Sequence, residues 1–271
     1  MNQYSPTGFR VLPVIIKNLL ILNALFFVAT WVVQSRFNID LNRYLGLFFF
    51  ESEYFRPHQY VSYMFMHGSM AHIFFNMFAL WMFGSVLENV WGPKRFLVYY
   101  FVTGIGAAVI QTLVNWYSYY SMNEAVSLFY QDATPQNFAI LIRNHFPAYQ
   151  EAVFSFIGEW QKNISEPYFL NEVREFLSVR VTEYVNIPTV GASGAVFGLL
   201  LAFGMMFPNS VIYIYVFFPM KAKYFVILYG ALELYSGFSN QPGDNVAHFA
   251  HLGGMIFGFF LVRAWKKKTM L

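Results

Sequence analysis

Three short polar clusters hold the residue types from which chemistry can be built. Ser193 stands in Gly191-Ala192-Ser193-Gly194-Ala195-Val196-Phe197-Gly198, between neighbours too small to hide its hydroxyl or its backbone N–H. His251 stands in His248-Phe249-Ala250-His251-Leu252-Gly253-Gly254-Met255-Ile256-Phe257-Gly258. His72 and Asn76, in His67-Gly68-Ser69-Met70-Ala71-His72-Ile73-Phe74-Phe75-Asn76, are four residues apart and share one helix face. A serine hydroxyl and a neutral imidazole make a nucleophile and its general base. Two donors aimed at one point in a dry site suit a developing oxyanion. Gly194 with Gly198, and Gly254 with Gly258, are small-xxx-small pairs that let two helices approach closely. His251 lies three residues before Gly254, so packing of the two glycine faces brings His251 to Ser193. Each cluster also has a plainer reading: Ser193 as an incidental residue in a packing face, His251 as a hydrogen-bonded packing histidine, His72 and Asn76 as an interhelical clasp. A metal pair of His248 and His251 is a further reading. It lacks a third ligand, since only Asp244 sits near them at helical spacing and zinc sites use three or more protein ligands.

All three clusters interrupt apolar segments, where polar groups need a reason to exist. Of the 271 residues, 57% are hydrophobic, 21% aromatic and only 11% charged. An average soluble domain carries about 25% charged residues, so this chain cannot cover a water-facing surface. The mean hydropathy of +0.43 agrees. Disorder is excluded by the same numbers, and the lack of cysteine excludes disulfides and thiolate metal sites. The net charge of +3 does not point to nucleic acid, because the basic residues are dispersed and mostly flank apolar runs.

The elements that must position these residues are therefore membrane helices. Apolar runs predict six, over about 11–34, 67–90, 96–116, 190–207, 224–237 and 246–265. Residues 35–66 mix aromatic and charged residues and read as an interfacial loop. Residues 117–185 carry eight acidic and four basic residues and two amphipathic stretches, 135–157 and 170–184. They read as a water- or interface-exposed helical insertion between helices 3 and 4, within a single membrane domain spanning 1–271. A short aromatic loop precedes helix 5, which carries Glu233, and the turn 239–245 separates helices 5 and 6. Six spans put both termini on one side. Ten of the 17 basic residues would lie there, which predicts cytoplasmic termini. The insertion is then outside, beside the polar clusters, where it could cover the site or recruit substrate. The polar outer end of helix 5 suggests a mobile top, and helix 5 and the 35–66 loop are candidate gates.

The set His72-x-x-x-Asn76, Gly191-x-Ser193-Gly194 and Ala250-His251-x-x-Gly254-x-x-x-Gly258 resembles the rhomboid family of intramembrane serine proteases. The resemblance covers about 200 residues. It implies an all-α, six-helix membrane core and a Ser–His dyad with no third, acidic member. By that resemblance Ser193 is the nucleophile and His251 the base. His72, Asn76 and the Ser193 backbone N–H form the oxyanion hole, and Phe197 stacks on the catalytic imidazole. Gly191, Gly194, Gly198, Gly254 and Gly258 support the dyad, with His67 and His248 as accessory imidazoles. No cofactor, metal or nucleic acid is implied. The expected partners are the lipid bilayer and single-pass transmembrane substrates. The runner-up is an inactive rhomboid-like protein that binds membrane clients; such relatives typically lose the Ser or the His. The short N-terminus shows no evident transit peptide, which favours a bacterial plasma membrane. The insertion, His248 and the local Phe55-Arg56-Pro57-His58 depart from a minimal rhomboid.

Overall fold

A computed structural model describes residues 8–214, 218–239 and 246–269. The chain is an all-α membrane bundle with one small hairpin. In order come α1 (Val14–Phe37), α2 (Asn42–Leu45), α3 (Gln59–Ser62), α4 (Met70–Trp91), α5 (Pro93–Gln131), α6 (Pro135–His145), α7 (Gln150–Lys162), α8 (Pro167–Val185) and α9 (Ser193–Met206). The antiparallel strands β1 (Val211–Ile214) and β2 (Phe218–Lys221) follow, then α10 (Ala222–Ser239) and α11 (His248–Thr269). Among the described residues, α1, α4 and α5 are long and apolar enough to cross a membrane, and α9 is a shorter apolar helix.

The centre of the bundle is α9, which buries Gly194, Ala195, Val196, Gly198, Leu199, Leu200, Ala202 and Gly204. Small residues let α5 and α11 press onto it, and these three helices share the most extensive contacts of the fold. A methyl group on Gly198 would stand 2.7 Å from Thr103 of α5. The Tyr99 hydroxyl of α5 donates to the Gly198 carbonyl at 2.7 Å. By contrast α1 buries only Ile16, Leu19 and Asn23 and exposes Ile21, Leu22, Leu25, Val28 and Trp31, as a lipid-facing helix must. Its start is held by Glu88 of α4, whose carboxyl oxygens accept from the N–H groups of Ile15 and Ile16 at 3.0 and 2.9 Å. These first-turn donors have no partner within their own helix.

The 38–66 segment is folded back on itself around Gln59, which is fully buried. Its side chain donates to the Tyr44 and Tyr54 carbonyls and accepts from the Phe48 and Arg56 N–H groups. Leu47 exchanges two backbone hydrogen bonds with Thr189, tying this segment to the approach to α9. Arg56 uses its guanidinium on the carbonyls of Glu53 and Phe55, which anchors the segment locally.

Several boundaries differ from those read in the sequence. Helix 3 does not stop at residue 116 but runs on to Gln131. No Gly or Pro lies between Tyr117 and Ala133, so the change in composition marks the exit from lipid and not a helix end. At 39 residues α5 is about 58 Å long, nearly twice the hydrocarbon thickness of about 30 Å. The stretch 135–157 is two helices, because Pro147 cannot continue α6. Helix 2 begins at Met70 and not at His67, since the Ser69 hydroxyl caps it by accepting from the His72 N–H at 3.1 Å. Helix 4 begins only at Ser193, because Thr189 is held in a bridge with Leu47 and Gly191, with a φ of 127°, breaks any helix before it. The loop before helix 5 contains the β1–β2 hairpin. Residues 240–245 of the predicted turn, Asp244 among them, lie outside the described residues.

The insertion has a core of its own. Met122 and Phe129 of α5 pack with Phe138, Leu141 and Ile142 of α6, Val153 and Trp160 of α7, and Phe169, Val173 and Leu177 of α8. Thr134 caps α6, and Pro at the first position starts both α6 and α8.

Candidate active site

Ser193 is the first residue of α9, and the Ala192 before it offers no capping side chain. The N–H groups of this first turn have no partner within the helix, so the positive end of α9 lies at the hydroxyl. His251 is the fourth residue of α11 and is buried. Its Nε2 lies 2.8 Å from Ser193 Oγ, across 58 residues of chain. Phe197, one turn after Ser193, stacks on the His251 ring with centroids 4.2 Å apart and planes within 7°.

The glycine faces meet. A Cβ on Gly254 would overlap the Gly194 carbonyl, and one on Gly258 would overlap the Tyr99 hydroxyl and stand 3.4 Å from the Gly198 carbonyl. Gly191 brings in the third element. Its φ of 127° suits glycine, and a Cβ there would stand 2.7 Å from His72 Nε2 and 3.5 Å from Ser193 Oγ. The hydroxyl and the His72 imidazole therefore both border the space that a side chain at this position would fill. Asn76 is buried one turn further along α4, and its amide donates to the His72 carbonyl at 3.1 Å. His67 is buried with its ring edge-on to His72, centroids 5.0 Å apart.

One functional side chain escaped the reading of the sequence as part of the site. Glu233 of α10 places Oε2 2.8 Å from His251 Nδ1 and 2.6 Å from His248 Nδ1. The resemblance carries no acid behind the histidine, and here a carboxylate occupies that place. A signal was present in the sequence: Ala222, Val226, Gly230, Glu233 and Gly237 recur at helical spacing and form the seam that α10 turns to the bundle. Gly230 lies against Met255 and Gly237 against Phe249 and His248, so α10 approaches α11 closely on both sides of Glu233.

Glu233, His248 and His251 each present one ligand atom, all within 4.8 Å of one another. One carboxylate and two imidazoles are a donor set that zinc accepts. Among the described residues Glu233 supplies the third donor beside the two histidines; Asp244 lies outside them. The same set is also satisfied without an ion, because one carboxylate oxygen accepts from both rings.

The profile of the rhomboid domain matches residues 54–128 and 166–267, two blocks that hold every residue of the site and omit the whole of α6 and α7. No curated protein matches the chain. With its all-α bundle and with more than half its length matched by that profile, the chain belongs to the rhomboid family.

Proposed function

We propose that this chain is an intramembrane serine endopeptidase that cleaves single-pass transmembrane substrates near the outer membrane face. The observation that carries the reading is the 2.8 Å contact between Oγ of the half-buried Ser193 and Nε2 of the buried His251. His251 takes the hydroxyl proton as Oγ bonds to the scissile carbonyl carbon. The carbonyl π pair moves onto oxygen, facing the Ser193 backbone N–H, with His72 and Asn76 as side-chain donors. His251 then returns the proton to the leaving amine as the C–N bond breaks. Water hydrolyses the acyl-enzyme by the same relay in reverse order.

The client-binding alternative is disfavoured by the pair itself. An escort protein has no need of a hydroxyl and an imidazole held at bonding distance, with a stacked ring holding the base. The six-span topology and the cytoplasmic termini belong to the same proposal. They rest on the six apolar segments and on the placement of the basic residues.

The test is covalent labelling by a fluorophosphonate in detergent, comparing the parent with Ser193→Ala and His251→Ala. Loss of labelling in both variants is the expected result. A folded parent that does not label, or a labelled Ser193→Ala variant, overturns the reading.

A further inference from the structure

We propose that Glu233 is a positioning residue for His251, so that this rhomboid works with a Ser193–His251–Glu233 relay instead of a bare dyad. The proposal rests on the protease reading above. The cluster spans three helices: the hydroxyl rides on α9, the imidazole on α11 and the carboxylate on α10. Glu233 Oε2 accepts from His251 Nδ1 at 2.8 Å while His251 Nε2 faces Ser193 Oγ at 2.8 Å.

The consequence is a choice of tautomer. A neutral imidazole carries one proton, on either nitrogen. A carboxylate on Nδ1 holds the proton there and leaves the Nε2 lone pair directed at the hydroxyl, which is the form a general base needs. Once His251 has taken the serine proton, the same carboxylate faces the new imidazolium. The side chains concerned are only 10% and 14% accessible, so solvent screens this interaction weakly. The acid is not itself protonated in this cycle.

His248 completes the arrangement. Its Nδ1 lies 2.6 Å from the same oxygen, so Glu233 is held from a second side and cannot swing away from His251 without leaving that partner. The backbone is arranged for the same contact. Gly230 and Gly237 flank Glu233 on its own face of α10, and methyl groups there would stand 3.3 Å from Met255 and 3.0 Å from Phe249. Their bareness lets α10 come near enough for a glutamate to span the gap. Because the acid and the imidazole ride on different helices, separating α10 from α11 disconnects the relay.

The experiment compares Glu233→Gln, Glu233→Asp and the parent in proteoliposomes, with Ser193→Ala alongside. It reads kcat and KM separately, the rate of fluorophosphonate labelling, and the 15N spectrum of histidine-labelled protein. The Gln side chain is isosteric but offers an amide N–H₂ that favours the opposite tautomer. The expected result is a fall in kcat of about 10²-fold or more with KM unchanged. Labelling slows in parallel, the His251 proton shifts from Nδ1 to Nε2, and Glu233→Asp recovers part of the rate. Parent-like kcat, labelling and tautomer in Glu233→Gln overturn the proposal. So does a loss shared by Gln and Asp that tracks the folded fraction, which makes Glu233 a packing residue. Zinc- or chelator-dependent cleavage that disappears in Glu233→Gln overturns it too, in favour of a metal site. If Ser193→Ala is silent while Glu233→Gln behaves as the parent, only this proposal fails; an active Ser193→Ala removes the protease reading beneath it.

Discussion

Substituting Gly254 by alanine tests whether the separation of α9 and α11 sets the reactivity of Ser193. In an exposed helix the change would stabilise by about 1 kcal/mol. Here the new methyl lands on the carbonyl oxygen of Gly194, a backbone atom that cannot rotate aside. Ordinary carbon–oxygen contacts are about 3.3 Å or longer, so the helices must part by more than about an ångström at this level. Ser193 is the residue before Gly194 and His251 lies one turn before Gly254, so that displacement falls directly on their 2.8 Å contact. Adding an ångström takes it beyond hydrogen-bond range. Overpacking of this kind destabilises by about 1–3 kcal/mol, and a misplacement of about 1 Å lowers a rate by on the order of 10²-fold. The assay is cleavage of a transmembrane reporter in proteoliposomes, with a thermal midpoint measured in detergent. Gly158→Ala, in α7 with open space around it, is the matched control and should cleave as the parent does. A Gly254→Ala variant with parental rate and midpoint would refute the argument that the glycine contact sets the catalytic distance.

Further expectations follow from the same geometry. Gly191→Ala should lower cleavage by at least about tenfold, since a φ of 127° strains a residue with a side chain by about 1–3 kcal/mol and the methyl would press on His72 Nε2; labelling rate against folded fraction separates the two effects. Glu88→Gln should lower the thermal midpoint while leaving activity per folded molecule intact. It swaps one of the two oxygens that hold the start of α1 for a donor, at a cost of about 1–3 kcal/mol. In the insertion, burial pushes the His145 imidazole below its usual value of 6.5. The unfolded segment therefore binds the proton first as pH falls. Stability from this group is present above about pH 6.5 and is lost on acidification. Amide exchange in α6, corrected for intrinsic rates, should be faster at about pH 5.5 than at about pH 7.5, and His145→Gln should remove that difference.

Much of the site was legible in the chain because its requirements are local in sequence. A reactive serine needs small neighbours, close helix approach needs paired glycines, and two donors on one face need a spacing of four. These rules singled out Ser193, His251, His72 and Asn76, and the apolar runs identified a membrane bundle. The long reach of α5 was hidden because a helix leaving lipid changes composition without changing conformation. What the tertiary structure alone decided was partnership. Glu233 looked like one acidic residue in an apolar helix, and His248 like a spare imidazole. Glu233 reaches both imidazoles, joining His248 to His251 through one carboxylate oxygen, only because the glycine-lined seam of α10 lies against the start of α11. Helical periodicity tells which face a residue occupies. The partner opposite that face is set by how distant helices pack.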